Sequence, residues 1–140
     1  NFYAALSIIE YTNPKDEATG EPSDQEKRQL MHGRILHGNQ FVRGALRSMP
    51  TTYYTTDSGV GLAVGHYRRE PQMHIGAIGL GTGTIAAYGK QAGQDFTIYE
   101  INPLVEQLSA KEDGFFKYIP DARALGSKVE IVLGDARMQM

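Results

Sequence analysis

The run Ile75-Gly76-Ala77-Ile78-Gly79-Leu80-Gly81-Thr82-Gly83-Thr84-Ile85-Ala86-Ala87-Tyr88 constrains this chain more than any other stretch. An apolar segment leads into glycines at alternate positions, and a helix-compatible segment follows. The sequence therefore reads as strand, tight turn and helix start. Glycine lacks a Cβ and tolerates positive φ, so a ligand can approach such a turn closely. The N–H groups that open a helix favour an electron-rich group at the same place. The pattern is common by itself, and the residues downstream give it meaning.

Strand-like segments at 75–79, 96–100 and 129–133 alternate with helix-like segments at 83–90 and 103–111. Asn102 is placed to cap the second helix, with Pro103 at its first position. Strands separated by helices indicate parallel βαβ units with right-handed crossovers. The first half is built differently. Residues 1–11 read as a strand rich in aromatic and β-branched types, and 12–27 as a charged, solvated loop. Residues 30–42 are strand-like again, with Gly33 and Gly38 marking bulges or bends. A turn-rich connector at 50–58 then leads to a helix through Val60, Val64 and His66, capped by Asp57 or Ser58 and ended by Glu70-Pro71.

The expected fold is α/β. A small β-rich N-terminal lobe (1–70) precedes the N-terminal half of a Rossmann-like, methyltransferase-type parallel sheet (71–140).

A length of 140 residues allows one domain or two small lobes, and 41% hydrophobic residues suffices for a packed core. A formal charge of −2 with mixed signs argues against a basic nucleic-acid binder. Absence of cysteine excludes disulfides, thiolate metal sites and thiol catalysis. No run approaches the roughly 18 apolar residues of a membrane span. His32 and His37, five apart on one strand, would face opposite ways with no third ligand nearby, so no metal site is expected. The chain begins in a strand-like pattern and stops just after a motif, which suggests a piece of a longer protein. A three-stranded parallel sheet would have an open edge, which makes pairing into a homo-oligomer plausible.

Two carboxylates stand where such a sheet uses them. Glu100 closes Phe96-Thr97-Ile98-Tyr99-Glu100, the place where nucleotide-binding folds hold ribose hydroxyls. Asp135, in Leu133-Gly134-Asp135-Ala136-Arg137, follows the third strand and can accept from an adenine amino group or cap a helix. Gly81-Thr82-Gly83-Thr84-Ile85-Ala86 also satisfies the dinucleotide pattern G-x-G-x-x-A, but that reading leaves Gly134-Asp135 without a role. A mononucleoside such as an S-adenosyl compound accounts for all three features.

Ile78-Gly79-Leu80-Gly81-Thr82-Gly83-Thr84, Tyr99-Glu100-Ile101-Asn102-Pro103 and Leu133-Gly134-Asp135-Ala136-Arg137 resemble the spermidine synthase (polyamine aminopropyltransferase) family, which lies within the class I S-adenosylmethionine-dependent methyltransferase fold. Leu36-His37-Gly38-Asn39-Gln40 and Pro50-Thr51-Thr52-Tyr53-Tyr54 are similar to its N-terminal lobe, nearest to a bacterial branch fused behind membrane-spanning segments. The resemblance implies decarboxylated S-adenosylmethionine as co-substrate, or S-adenosylmethionine itself, with a polyamine acceptor, no metal and no nucleic acid. It puts Gly79, Gly81 and Gly83 against the adenosyl-sulfonium ligand, Glu100 on the ribose, Asp135 on adenine and Ile101 beside the purine. Gln40 and Tyr54 match substrate positions between the lobes. It also implies a protein on the cytoplasmic side of the bacterial inner membrane, anchored only through segments outside this sequence.

Two departures qualify it. The synthases carry aspartate where Thr82 stands, which suits methyl transfer better. Their catalytic aspartate follows a fourth strand, and no such strand lies within these residues. No catalytic residue is therefore assigned, and the chain is expected to bind ligand while lacking part of the catalytic apparatus. A nucleoside-binding module of a membrane protein is the non-enzymatic alternative.

Overall fold

The computed structural model describes residues 5–12, 15–21, 25–68, 70 and 72–140. The parts of the expected first strand at 1–4 and of the charged loop at 13, 14 and 22–24, and Pro71, lie outside the described residues.

The fold is mixed α/β, with an antiparallel sheet followed by a parallel one. Strands β1 (Leu6–Tyr11), β2 (Lys27–His32) and β3 (Ile35–Phe41) form the antiparallel sheet in sequential order. Here the structure corrects the sequence reading. Residues 30–42 are not one strand but two, joined by a two-residue hairpin turn at Gly33-Arg34 with His32 opposite Ile35. Gly33 has φ 57 at the first turn position, a placement for which glycine is favoured. The β2–β3 register then shifts: Leu30 pairs with Gly38 but Met31 with Leu36, leaving His37 as the extra residue of a bulge.

Two short 3₁₀ turns, Ala45–Ser48 and Thr52–Tyr54, lead to helix α1 (Gly59–Tyr67). Ser58 is its cap, with its hydroxyl accepting from the Gly61 amide at 3.0 Å. Strands β4 (Met73–Ile78), β5 (Gln94–Glu100) and β6 (Val129–Leu133) form the parallel sheet, in that order and in register from Met73 opposite Gln94. Between β4 and β5 the expected helix is only a 3₁₀ turn, Thr84–Tyr88, buried throughout. It stops at Gly89, whose Cα packs so near Phe96 and Ser127 that a Cβ would lie 2.9 Å and 2.7 Å from them.

Helix α2 (Pro103–Ser109) starts as expected, with the Asn102 side chain accepting from the Leu104 amide. Helix α3 (Tyr118–Ala124) has no counterpart in the sequence reading, and α4 (Ala136–Gln139) closes the described fold.

Alternation on β5 sets the core. Phe96 and Ile98 point into it with Val129 of β6, while Tyr118, Ile119 and Ala122 of α3 cover them. Ile98 and Ile119 are fully buried, each worth roughly 1.5–3 kcal/mol. The opposite sheet face carries a polar end, where His74 bonds Thr97 at 2.9 Å. Among the described residues, no helix is long and apolar enough to cross a membrane.

Candidate functional site

The glycine turn follows β4 at the carboxyl end of the parallel sheet, where ligands of such sheets bind. Gly79, Gly81 and Gly83 all have positive φ (90°, 53° and 79°). They play different parts. Gly79 and Gly81 border open cavities, and a Cβ on Gly81 would lie 2.9 Å from the His37 carbonyl of the antiparallel sheet. A Cβ on Gly83 would lie 2.9 Å from Ile119, so this glycine lets α3 close onto the turn and does not border either cavity.

Glu100, at the end of β5, is buried and braces the turn. One carboxylate oxygen accepts from the Leu80 amide and the other from the Asn102 amide, both at 2.8 Å. The carboxylate thus joins the loop after β4 to the start of α2. A carboxylate oxygen has two lone pairs, so each retains capacity for one further donor.

A cavity of about 270 Å³ opens over this arrangement. Gly79, Gly81, Glu100, Ile101 and Asn102 belong to the parallel-sheet side, and Leu6, Leu30, His32 and His37 to the antiparallel sheet. Ile101 is half exposed beside the carboxylate, offering an apolar surface. On the other side of the turn lies a second cavity of about 330 Å³, with Tyr53, Tyr54, Thr82 and Thr84 as its polar lining. His37, Gly79 and Gly81 border both. Each cavity is near the ~300 Å³ lower end of small-molecule sites. The Thr82 and Thr84 hydroxyls bond each other at 2.8 Å.

The structure brings Gly79, Gly81, Glu100 and Ile101 to one cavity and Tyr54 to its neighbour. Tyr54 also accepts, through its carbonyl, the Tyr88 hydroxyl. Gln40 stands elsewhere. It is buried, its Oε1 accepting from the Lys117 amide at 2.7 Å and its Nε2 donating to the Arg47 carbonyl at 3.0 Å. It lines a separate small cavity beside Arg47 and Lys117. Asp135 caps α4, accepting from the Arg137 amide and pairing with the Arg137 guanidinium. That side chain, then the amide, hold its carboxyl below the usual range. It lines neither of the cavities at the glycine turn.

His32 and His37 depart from the expectation of opposite faces. The hairpin and the bulge bring the two rings 5.7 Å apart on one cavity wall, not to opposite faces. A glycine beginning a two-residue gap between apolar runs was the available signal. Among the described residues, no group of three or more His, Asp or Glu could hold a metal ion.

Comparison with protein-family models, curated proteins and solved structures finds no match for the chain.

Proposed function

We propose that this chain binds the adenosyl group of an S-adenosyl sulfonium donor and is the donor-binding part of a group-transfer enzyme. The observation that carries the reading is Glu100. Its carboxylate is locked by two backbone amides at the cavity floor, beside a glycine turn and an exposed apolar side chain. Two ribose hydroxyls can donate to its remaining lone pairs, each charge-assisted bond contributing about 1.5–3 kcal/mol. Ile101 offers a surface for the purine, and the sulfur would pass the Gly79–Gly81 backbone toward the second cavity.

In the form that the family resemblance implies, an aminopropyl group moves from decarboxylated S-adenosylmethionine to a polyamine held near Tyr53, Tyr54 and Thr82. The attacking amine must first lose a proton, and a positioned base serves that step. No described residue is assigned as that base. Methyl transfer is the second reading, favoured by Thr82, whose neutral hydroxyl bonds Thr84 where a carboxylate would meet an aminopropyl cation. The resemblance places either activity on the cytoplasmic side of a membrane, with no metal.

Calorimetric titration with 5′-methylthioadenosine, S-adenosylhomocysteine and NAD tests the reading. The expected result is binding of the adenosyl thioethers, weakened at least tenfold by Glu100→Gln. Binding of NAD alone, or of nothing, would overturn it.

A further inference from the structure

The two cavities have an uneven polar lining. Among the described residues that border them, Glu100 is the one carboxylate, and both its oxygens already accept a backbone amide. Among the described residues, neither Lys nor Arg lines either wall. The other polar side chains are uncharged amides and hydroxyls and two imidazoles, each imidazole carrying at least one N–H: His32, His37 and Asn102 in the first cavity, and Tyr53, Tyr54, Thr82 and Thr84 in the second. Neither imidazole hydrogen-bonds a described residue, and each ring has the other as its neighbour at 5.7 Å. They stand on the wall contributed by the antiparallel sheet, and His37 also borders the second cavity beside Gly79 and Gly81.

A donor with its ribose on Glu100 and its sulfur at the glycine turn would extend its tail toward this pair. The two possible donors share an ammonium group on that tail and differ in one α-carboxylate. Two imidazole N–H groups on neighbouring rings can each donate to one oxygen of a carboxylate, a charge-assisted arrangement. A tail without the carboxylate offers those N–H groups no acceptor in place of the water it displaces.

We infer that His32 and His37 form a carboxylate-recognition pair, and that the donor of this site keeps its α-carboxylate. This rests on the sulfonium reading above and selects S-adenosylmethionine over its decarboxylated form.

S-adenosylhomocysteine and its decarboxylated analogue, S-adenosyl-3-thiopropylamine, differ by that carboxylate alone. Titrated into the intact chain beside 5′-methylthioadenosine, the carboxylated compound should bind about tenfold tighter than the amine. In the double variant His32→Phe, His37→Phe, which keeps two neighbouring rings but removes the N–H groups, the ratio should fall to about one. His37→Phe alone should lower it part-way. Equal or tighter binding of the amine by the unaltered protein overturns the inference and leaves the sulfonium reading standing. A ratio that survives in the double variant overturns the role of the histidines. Failure of all three compounds to bind removes the sulfonium reading and the inference with it.

Discussion

Gly38 of β3 and Thr82 of the glycine turn meet so closely that a Cβ on Gly38 would overlap the Thr82 side chain. Gly38 also has φ 142, a backbone state that other residues rarely adopt. This contact seats the antiparallel sheet on the turn beside the second cavity, which Thr82 lines. Gly38→Ala is expected to destabilise the fold by about 1–3 kcal/mol through overpacking and backbone strain, measured by urea denaturation. Gly33→Ala, where φ is 57 and no atom lies within 4 Å of the new Cβ, should cost less. Thr82→Ala should recover part of the Gly38→Ala loss, a coupling that a double-mutant cycle reads directly.

Glu100 is structural before it is a binding group. Glu100→Ala deprives the buried Leu80 amide of its acceptor and removes one from Asn102. The expected loss is about 2–4 kcal/mol, whereas Glu100→Gln, which keeps one acceptor, should lose less. Chemical denaturation without ligand separates this effect from any change in affinity.

Gln40 of β3 holds the start of α3 and the Ala45–Ser48 turn through backbone groups, and the bidentate Arg47–Asp121 pair at 2.6 and 3.0 Å joins that turn to α3. Gln40→Ala should destabilise by about 1–3 kcal/mol because it exposes two backbone partners without replacing their bonds. Its effect on 5′-methylthioadenosine affinity should be under twofold in the folded protein. A large loss of affinity with unchanged stability would instead favour the substrate contact that the family resemblance implies.

Tyr118 gives the fold an alkaline limit. Its hydroxyl donates to the Met49 carbonyl at 2.7 Å and lies near Thr51. Burial pushes its pKa from 10.0 up to about 12, against smaller lowering by bonds with Thr51 and Thr84. A group raised on folding contributes stability that is complete below its unfolded pKa and lost as pH climbs through the folded one. The expected decline therefore runs from about pH 10 to about pH 12. Denaturation midpoints across that range should fall more steeply for the unaltered protein than for Tyr118→Phe, which sacrifices about 1 kcal/mol at neutral pH.

Local chemistry was readable along the chain. Ser58 caps α1, Asn102-Pro103 opens α2, and β6 spans Val129–Leu133 as its alternating apolar residues predict. The glycine turn and Glu100 were legible for the same reason: each signal lies within a few neighbouring residues, where backbone sterics and capping geometry act.

What the tertiary structure decided lies in contacts between distant residues. Whether 30–42 runs straight or folds back depends on β2 pairing with β3, and the unpaired His37 follows from that register. The turn after Gly83 ends at Gly89, where Phe96 and Ser127 leave no room for a Cβ. Gln40 finds Lys117 across 77 positions, and Gly83 serves Ile119 on a helix absent from the sequence reading. Periodicity over a short window carries no information on such partners. Composition and motif spacing determined the α/β class and the carboxylate at the end of β5. Only packing decided which side chains face the cavity, because that depends on what occupies the space on the other side.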